Sequence, residues 1–208
     1  MNPGFVVTGT DTDVGKTVAA AGLVAALGAT YWKPVQAGLA DATDSQTVAR
    51  LAAIGPDRIL PEGYRLRTPC SPHEAARIDE VRIDRSRLSR PTTDRPLIIE
   101  GAGGIMVPIN GSELMLDLFA DWALPVILVA RTKLGTINHS LLSIHMLRSR
   151  SLRIAGILFM GDEKRHSEDS ITSFGDIAHL GRVPWLDPLG PDALASAMAD
   201  QVRLDLLR

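Results

Sequence analysis

A single cysteine, Cys70, stands among 208 residues, so no disulfide can close within the chain and nothing demands an oxidising compartment. Basic charge is not in excess either: 22 Lys and Arg face 24 Asp and Glu, giving a formal net charge of −2. Without a global positive field there is no electrostatic footprint for a polyanion, and nucleic acid is not expected as a partner. Long apolar runs are missing too. The longest, Val18 to Ala29 counting its glycines, falls short of the roughly 18 residues a membrane span requires, so no membrane association is expected. The opening Met-Asn-Pro-Gly has no basic region ahead of an apolar core and does not read as a signal peptide. No repeat and no low-complexity segment interrupts the chain. What is present is 45% apolar content in a length that suits one domain, residues 1–208. A chain of that size can remove roughly 70% of its surface from water. The expectation is a soluble, cytoplasmic, single-domain protein.

Strand-like and helix-like segments alternate. Phe5 to Thr8, Tyr31 to Lys33, Leu97 to Ile99, Val126 to Ala130 and Ile154 to Phe159 are short apolar runs. Thr17 to Leu27, Ser45 to Ala53, Ser112 to Ala123 and Asn138 to Arg148 carry helical patterns. Strands apolar on both faces belong in parallel sheets covered by helices. The repeated strand–helix order predicts an α/β fold, a doubly wound, mostly parallel sheet flanked by helices. Gly15-Lys16-Thr17 between the first strand and the first helix makes it P-loop NTPase-like. Gly55 to Pro72, with four prolines and little periodicity, reads as a long functional or mobile loop. The arginine-rich Arg77 to Arg95, interleaved with Asp79, Glu80, Asp84 and Asp94, reads as a solvated helix face.

The first strong signal is Gly9-Thr10-Asp11-Thr12-Asp13-Val14-Gly15-Lys16-Thr17, set between the first strand and the first helix. Backbone N–H groups of such a loop and of the helix start point at phosphates, and the helix dipole favours negative charge there. Lys16 adds a point charge on the phosphates and the Thr17 hydroxyl is placed to ligate Mg²⁺. Five residues separate the glycines where the common pattern has four. The segment reads as a nucleoside triphosphate site. Asp11 and Asp13 are open to three readings: facing Mg²⁺, facing an amine-bearing substrate, or solvent exposure and helix capping.

A second signal is Leu97-Ile98-Ile99-Glu100-Gly101-Ala102-Gly103-Gly104. An apolar strand ending in a carboxylate beside a phosphate loop is where a metal-directing acid belongs, and the glycines let backbone approach a ligand. An ordinary strand-to-turn transition is the plainer alternative. Asp44, early in a helix, is either a second metal carboxylate or, on local sequence, an N-cap. Lys33 closes an apolar strand before Pro34. Strand C-termini of open α/β sheets line the ligand crevice, where a lysine can neutralise a transferring phosphoryl group. A lysine merely reaching for solvent fits the same local sequence.

Together these segments resemble the dethiobiotin synthetases. The likeness runs through Val7 to Thr17 with its extra loop residue, Lys33-Pro34-Val35-Gln36, Ser71-Pro72-His73, Glu100 to Gly104, Leu124 to Val129, Leu134 to His139 and Val183-Pro184-Trp185-Leu186. It implies a homodimeric, Mg²⁺- and ATP-dependent ring closure of 7,8-diaminononanoate with CO₂, through a carbamate and its phosphorylated anhydride. It implies Lys16, Lys33 and Thr12 at the reacting centre, and Thr17, Asp44 and Glu100 around Mg²⁺. The same likeness gives the nucleotide to Asp13, Val14, Gly15, Lys16, Thr17 and Val18, to Asp44, to Glu100, Gly101, Ala102 and Gly103, and to Pro184, Trp185 and Leu186. The substrate falls to Ala37, Gly135, Thr136 and Asn138, the last three reaching its carboxylate across the dimer interface. Without the resemblance, Asn138 reads as a plain N-cap.

Three positions depart from the family pattern. Ala37 stands where a Ser or Thr is usual, the Asn beside adenine falls at Met160 or Gly161, and Ala40 to Pro69 matches poorly. A partitioning or switch-type ATPase working through a protein partner is the main rival, although Thr10 stands where such proteins usually carry a lysine. A cobyrinate-type synthetase domain lacks its cysteine-dependent glutaminase partner here, since Cys70 has no such setting. A catalytically silent relative fits poorly with Lys16, Lys33 and Glu100 all in place.

Overall fold

The computed structural model describes residues 4–207. It begins with β1 (Gly4–Gly9), buried along its whole length. Strand alternation sends Phe5 and Val7 into one core and Val6 into another on the opposite face. Such a strand needs helices on both sides. The first of them, α1 (Lys16–Leu27), is rich in alanine and leucine and ends at Gly28, whose left-handed φ of 62° lets Ala29 N–H return to the Val24 carbonyl at 3.0 Å. β2 (Thr30–Trp32) and β3 (Val35–Ala37) follow. Next comes α2 (Asp44–Leu51), opened by a reciprocal Thr43–Gln46 capping box.

Then come β4 (Ile59–Leu60), β5 (Tyr64–Leu66), α3 (Pro72–Ile78) and the long β6 (Leu97–Gly104). The C-terminal half alternates regularly: α4 (Met115–Trp122), β7 (Val126–Arg131), α5 (Thr136–Ser149), β8 (Ile154–Met160), α6 (Arg165–Gly175), β9 (His179–Val183) and α7 (Pro191–Gln201). Seven strands form one sheet in the order β4-β2-β6-β1-β7-β8-β9, every pair parallel. β3 and β5 pair in a small parallel sheet of their own. This is the doubly wound α/β architecture that the sequence predicts. Among the described residues no helix is long and apolar enough to cross a membrane.

Two expectations are corrected here. Gly55 to Pro72 is not a structureless loop. It holds a 3₁₀ turn (Pro56–Arg58), β4 at the edge of the main sheet and β5 of the two-stranded sheet. Strands of two and three residues carry no readable periodicity, because distant partners make them. Arg77 to Arg95 is not a solvated helix face either. Helix α3 stops at Ile78, and only a 3₁₀ turn, Arg85–Leu88, interrupts the irregular chain after it. Arg85 donates to Glu113 at 3.0 Å and to Asp121, and Arg90 donates to the Trp122 carbonyl at 2.9 Å. These arginines tie the segment to α4, a job that local charge pattern cannot announce. Helix α4 itself starts at Met115, three residues later than its pattern suggests, because Ser112 and Glu113 N–H groups are engaged by the Asn110 side chain in a turn.

Candidate active site

Register places the chemistry. Tyr31 pairs with Ile98 and Trp32 with Ile99, so the next residue along each strand brings Lys33 level with Glu100. Alternation then turns Tyr31, Lys33 and Glu100 to one face of the sheet, the face that α1 covers. Helix α1 adds Lys16 and Thr17 from its first turn, and α2 adds Asp44 from its own.

Lys33 is 4% exposed and its ammonium is held on three sides. Nζ lies 2.9 Å from Glu100 Oε1, 2.6 Å from Asp44 Oδ2 and 3.1 Å from the Gly101 carbonyl. Burial alone would lower its pKa, yet the Glu100 and Asp44 carboxylates hold it above the usual lysine value. Asp44 shows the mirror effect. Burial would raise its pKa, and the Lys33 charge with the hydrogen bonds from Lys33 and Thr17 holds it below. Glu100, 1% exposed, also accepts from Tyr31 Oη at 2.8 Å and from Thr17 Oγ1 at 2.9 Å. Burial and the neighbouring Glu100 push the Tyr31 phenol well above its ordinary range, so it stays a neutral donor. A lysine seeking solvent is thereby excluded for Lys33. The helix N-cap is Thr43, not Asp44, which leaves the Asp44 carboxylate free to face the lysine.

The phosphate loop closes over this group. Gly15 sits at φ +93°, left-handed backbone that an L side chain resists, and a Cβ there would meet Met160 at 3.0 to 3.3 Å. Lys16 is buried and donates to the Asp11 carbonyl at 2.8 Å. Burial, and then the Lys33 charge, push its pKa down to about 8. Asp11 and Asp13 both stand at the loop surface. Asp11 accepts from Thr12 N–H at 2.7 Å and lies 3.5 Å from Arg131, which fits neither metal binding nor helix capping by that carboxylate.

Two clefts meet along the loop. The larger, about 730 Å³, is lined by Thr12, Asp13, Gly15, Lys16, Thr17, Val18, Lys33, Ala37, Asp44, Glu100, Ala102 and Gly103 among the residues singled out from sequence. Gly101 contributes its carbonyl from behind Lys33. The smaller cleft, about 160 Å³, shares Asp13, Gly15 and Val18 and adds Val14, Pro184, Trp185 and Leu186. Three residues are not brought in. Gly135, Thr136 and Asn138 lie at the start of α5 and line neither cleft, and Asn138 borders a separate groove with Leu142, His145 and Phe174. The N-cap of α5 is Gly135, so the plain N-cap reading of Asn138 is also wrong.

Sequence reasoning missed several participants. Tyr31 was legible, since it stands two residues before Lys33 in an extended run and so shares its face. Gln36, whose Oε1 accepts Asp44 N–H at 3.1 Å and whose amide donates to the Ala37 carbonyl at 3.2 Å, stood only in the matching Lys33-Pro34-Val35-Gln36 run, with no role attached to it. Arg131 and Lys133, which wall the smaller cleft, carried no local signal, whereas Met160 and Gly161, aligned with the Asn beside adenine, wall it too.

Thr17, Asp44 and Glu100 bring one hydroxyl and two carboxylates together, all hard oxygen donors. Mg²⁺ uses one or two carboxylates together with phosphate and water oxygens, so this small set fits it. A larger, all-protein cage is lacking: among the described residues no three His, Cys, Asp or Glu side chains group for a metal.

Comparison with known proteins decides the family. A family model described as an AAA domain matches residues 3–193. An ATP-dependent dethiobiotin synthetase of Rhizorhabdus wittichii is 57% identical over 96% of this chain and 95% of its own length. One from Agrobacterium fabrum is 55% identical over 98% and 96%. The chain belongs to the dethiobiotin synthetase family. Among solved structures, a ParA family ATPase from Chlorobium tepidum covers 94% of this chain and is itself covered to 89%, with TM-score 0.55 and 14% identity. That likeness shows the shared fold alone, and the partitioning-type rival is not favoured beside relatives more than half identical in sequence.

Proposed function

We propose that the two clefts carry out the family's reaction by the following route, with 7,8-diaminononanoate, CO₂ and ATP as substrates. The chain is a ligase that forms C–N bonds in ATP-dependent dethiobiotin synthesis. One amine of the diamine adds to CO₂ and loses a proton, giving a carbamate. A carbamate oxygen then takes the γ-phosphoryl group, and ADP leaves. The second amine attacks the carbamate carbon, loses its proton, and phosphate departs as the ureido ring closes.

The observation that carries this reading is the buried Lys33 ammonium, held between two carboxylates and sharing a cleft with Lys16 of the phosphate loop. Phosphoryl transfer asks for positioning and charge stabilisation more than covalent help, and a buried, fixed ammonium supplies both. Lys16 serves the γ-phosphate side, Lys33 the carbamate, and Thr12, which lines the same cleft, offers a hydroxyl to the reacting end. Thr17, Asp44 and Glu100 would hold Mg²⁺. When bound, that ion supplies charge neutralisation on the phosphate oxygens. The smaller cleft suits the nucleoside. Its walls are mostly apolar, and Trp185, 70% exposed, offers a ring face for a base to stack on.

The placement of Gly135, Thr136 and Asn138 away from both clefts supports a homodimer in which a second copy presents the start of its α5 to the diamine carboxylate. The first turn of a helix is suited to that anion, although the Thr136 N–H already donates to the Lys133 carbonyl at 3.1 Å. Leu142 and Phe174, at 61% and 81% exposure on the neighbouring groove, offer the apolar surface such a contact would cover. Asn138→Ala is expected to raise the apparent KM for diamine about tenfold and leave that for ATP near its starting value. Steady-state kinetics with each substrate varied in turn checks this, and the opposite ordering would refute the cross-subunit contact.

Nucleotide binding should also move a proton. At pH 8 Lys16, with its pKa near 8, is about half protonated. Phosphate raises that pKa, so binding takes up about half a proton, and the uptake fades as pH falls below 7. Calorimetric titration with ADP in two buffers of different ionisation enthalpy measures the uptake directly. Uptake of the same size in Lys16→Arg would assign it to another group.

The function itself is tested by supplying labelled bicarbonate with diaminononanoate, Mg²⁺ and ATP. Acid-stable label in dethiobiotin that requires both the nucleotide and the diamine is the expected result. Folded protein that binds nucleotide but fixes no label would overturn the reading.

A further inference from the structure

Asp11 occupies an unusual position in the phosphate loop, because its oxygens meet three donors that suit an anion. Its carbonyl accepts from Lys16 Nζ at 2.8 Å. Its Oδ1 accepts from the loop amide of Thr12 at 2.7 Å, and its Oδ2 faces Arg131 Nη2 at 3.5 Å. A lysine, a loop amide and a guanidinium are the donor types that cradle a polyphosphate. Arg131 ends β7, the strand directly beside β1, so its side chain leaves the sheet next to the loop. It also lines the smaller cleft together with Asp13, Gly15 and Lys133.

The Arg131–Asp11 pair is loosely made. It has a single contact at 3.5 Å, and the two side chains are 37% and 45% exposed. Solvent screening makes such a pair easy to exchange. A phosphate group offers more charge and a geometry that a guanidinium fork can meet twice. We propose that Arg131 is a further phosphate-binding residue of the nucleotide site, and that the Asp11 carboxylate is its stand-in partner, displaced when a nucleoside di- or triphosphate enters. This rests on the reading of the clefts as a nucleotide site. It adds a cationic ligand from β7 to those from β2 and α1, and it gives the loop carboxylate Asp11 a role as competitor of the substrate.

The full-length chain with Mg²⁺ is titrated calorimetrically with ADP, and tripolyphosphate, which carries no base, is titrated in the same way. Arg131→Gln is expected to weaken both by about tenfold, because both lose a charge-assisted contact. Asp11→Asn keeps an oxygen for the Thr12 amide, removes the competing charge, and is expected to tighten both by about threefold. In the double variant the tightening should vanish, since it acts through Arg131. Unchanged binding in Arg131→Gln overturns the proposal, as does weakening confined to ADP, which would place Arg131 on the base or sugar. Weaker binding in Asp11→Asn overturns the stand-in role. Thermal unfolding reports folding, and if Arg131→Gln is unstable, Arg131→Lys and Asp11→Asn decide. Failure of the wild type to bind ADP, or unaltered binding in Lys16→Ala, would instead bring down the nucleotide site itself.

Discussion

Lys33→Ala is expected to lower turnover by roughly a thousandfold or more, because it removes a fixed positive charge from the point where negative charge gathers. It should also cost stability. Without the ammonium, Glu100 at 1% exposure keeps only the hydrogen bonds from Tyr31 and Thr17. Stranding one partner of a buried pair costs about 3 kcal/mol or somewhat more. The two effects separate with a second change. Lys33→Met combined with Glu100→Gln replaces the charges by groups of similar size, so the melting temperature should recover, while turnover should stay far below that of Glu100→Gln alone, which keeps the ammonium. Turnover equal to that of Glu100→Gln would remove Lys33 from the chemistry.

The signs of the titrations fix the pH window for that stability loss. The Asp44 pKa is depressed, so its contribution is present above its ordinary value of 3.8 and lost as pH falls through the lower folded value. The Lys33 pKa is raised, so its contribution is present below 10.5 and lost only as pH rises beyond that. Between pH 5 and 7 the melting difference between wild type and Lys33→Ala should therefore stay nearly constant. Above that it should widen, because Lys16, held down to about 8 by burial and in part by the Lys33 charge, loses its proton in the wild type first.

Gly181→Ala is expected to have the largest effect on the fold. Gly181 lies in β9 at φ +121°, and a Cβ there would stand 2.0 Å from the Gln201 carbonyl oxygen and 2.9 Å from Val202 Cα. Both obstacles are backbone, so no side chain can turn aside. The chain after α7, bridged to Gly181 through Val202, would have to lift off the sheet. Strain and lost packing together should cost about 3 kcal/mol. For a chain of this length that is roughly 6–12 °C in melting temperature. Because β9 leads into Pro184, Trp185 and Leu186 of the smaller cleft, nucleotide affinity should fall with it. Differential scanning calorimetry with and without ADP measures both, and an unchanged melting point would mean the terminal segment is not seated where it is shown.

The parts of the site that were readable from residues alone are those that local chain continuity delivers. Gly9 to Thr17 could be read because strand, loop and helix start follow one another without a break. Lys33 and Glu100 could be read because each ends or interrupts an apolar run. Their contact with one another is a matter of sheet register between chain segments far apart, which no window of sequence displays. Asp44 shows the limit most plainly: by local rules it is a helix cap, and only the approach of α2 to β2 turns it towards Lys33. The same holds for β4 and β5, too short to have a period, and for Arg85, whose acidic partners Glu113 and Asp121 lie in a later segment. The resemblance supplied roles for Gly135, Thr136 and Asn138, and the distance of these residues from the clefts is a property of a single chain that no motif contains.

The strand order has a consequence for how the chain is made. β1 emerges first during synthesis, yet its two lateral neighbours are β6, beginning at Leu97, and β7, beginning at Val126. All strand pairs are parallel, so no hairpin shelters β1 in the interval, and long-range parallel pairing is slow to form. The ribosome thus presents an apolar, unpaired strand for most of the time it takes to make the N-terminal half. Order of appearance and order of pairing disagree, and the loop that grips phosphate is made well before the two strands that flank β1.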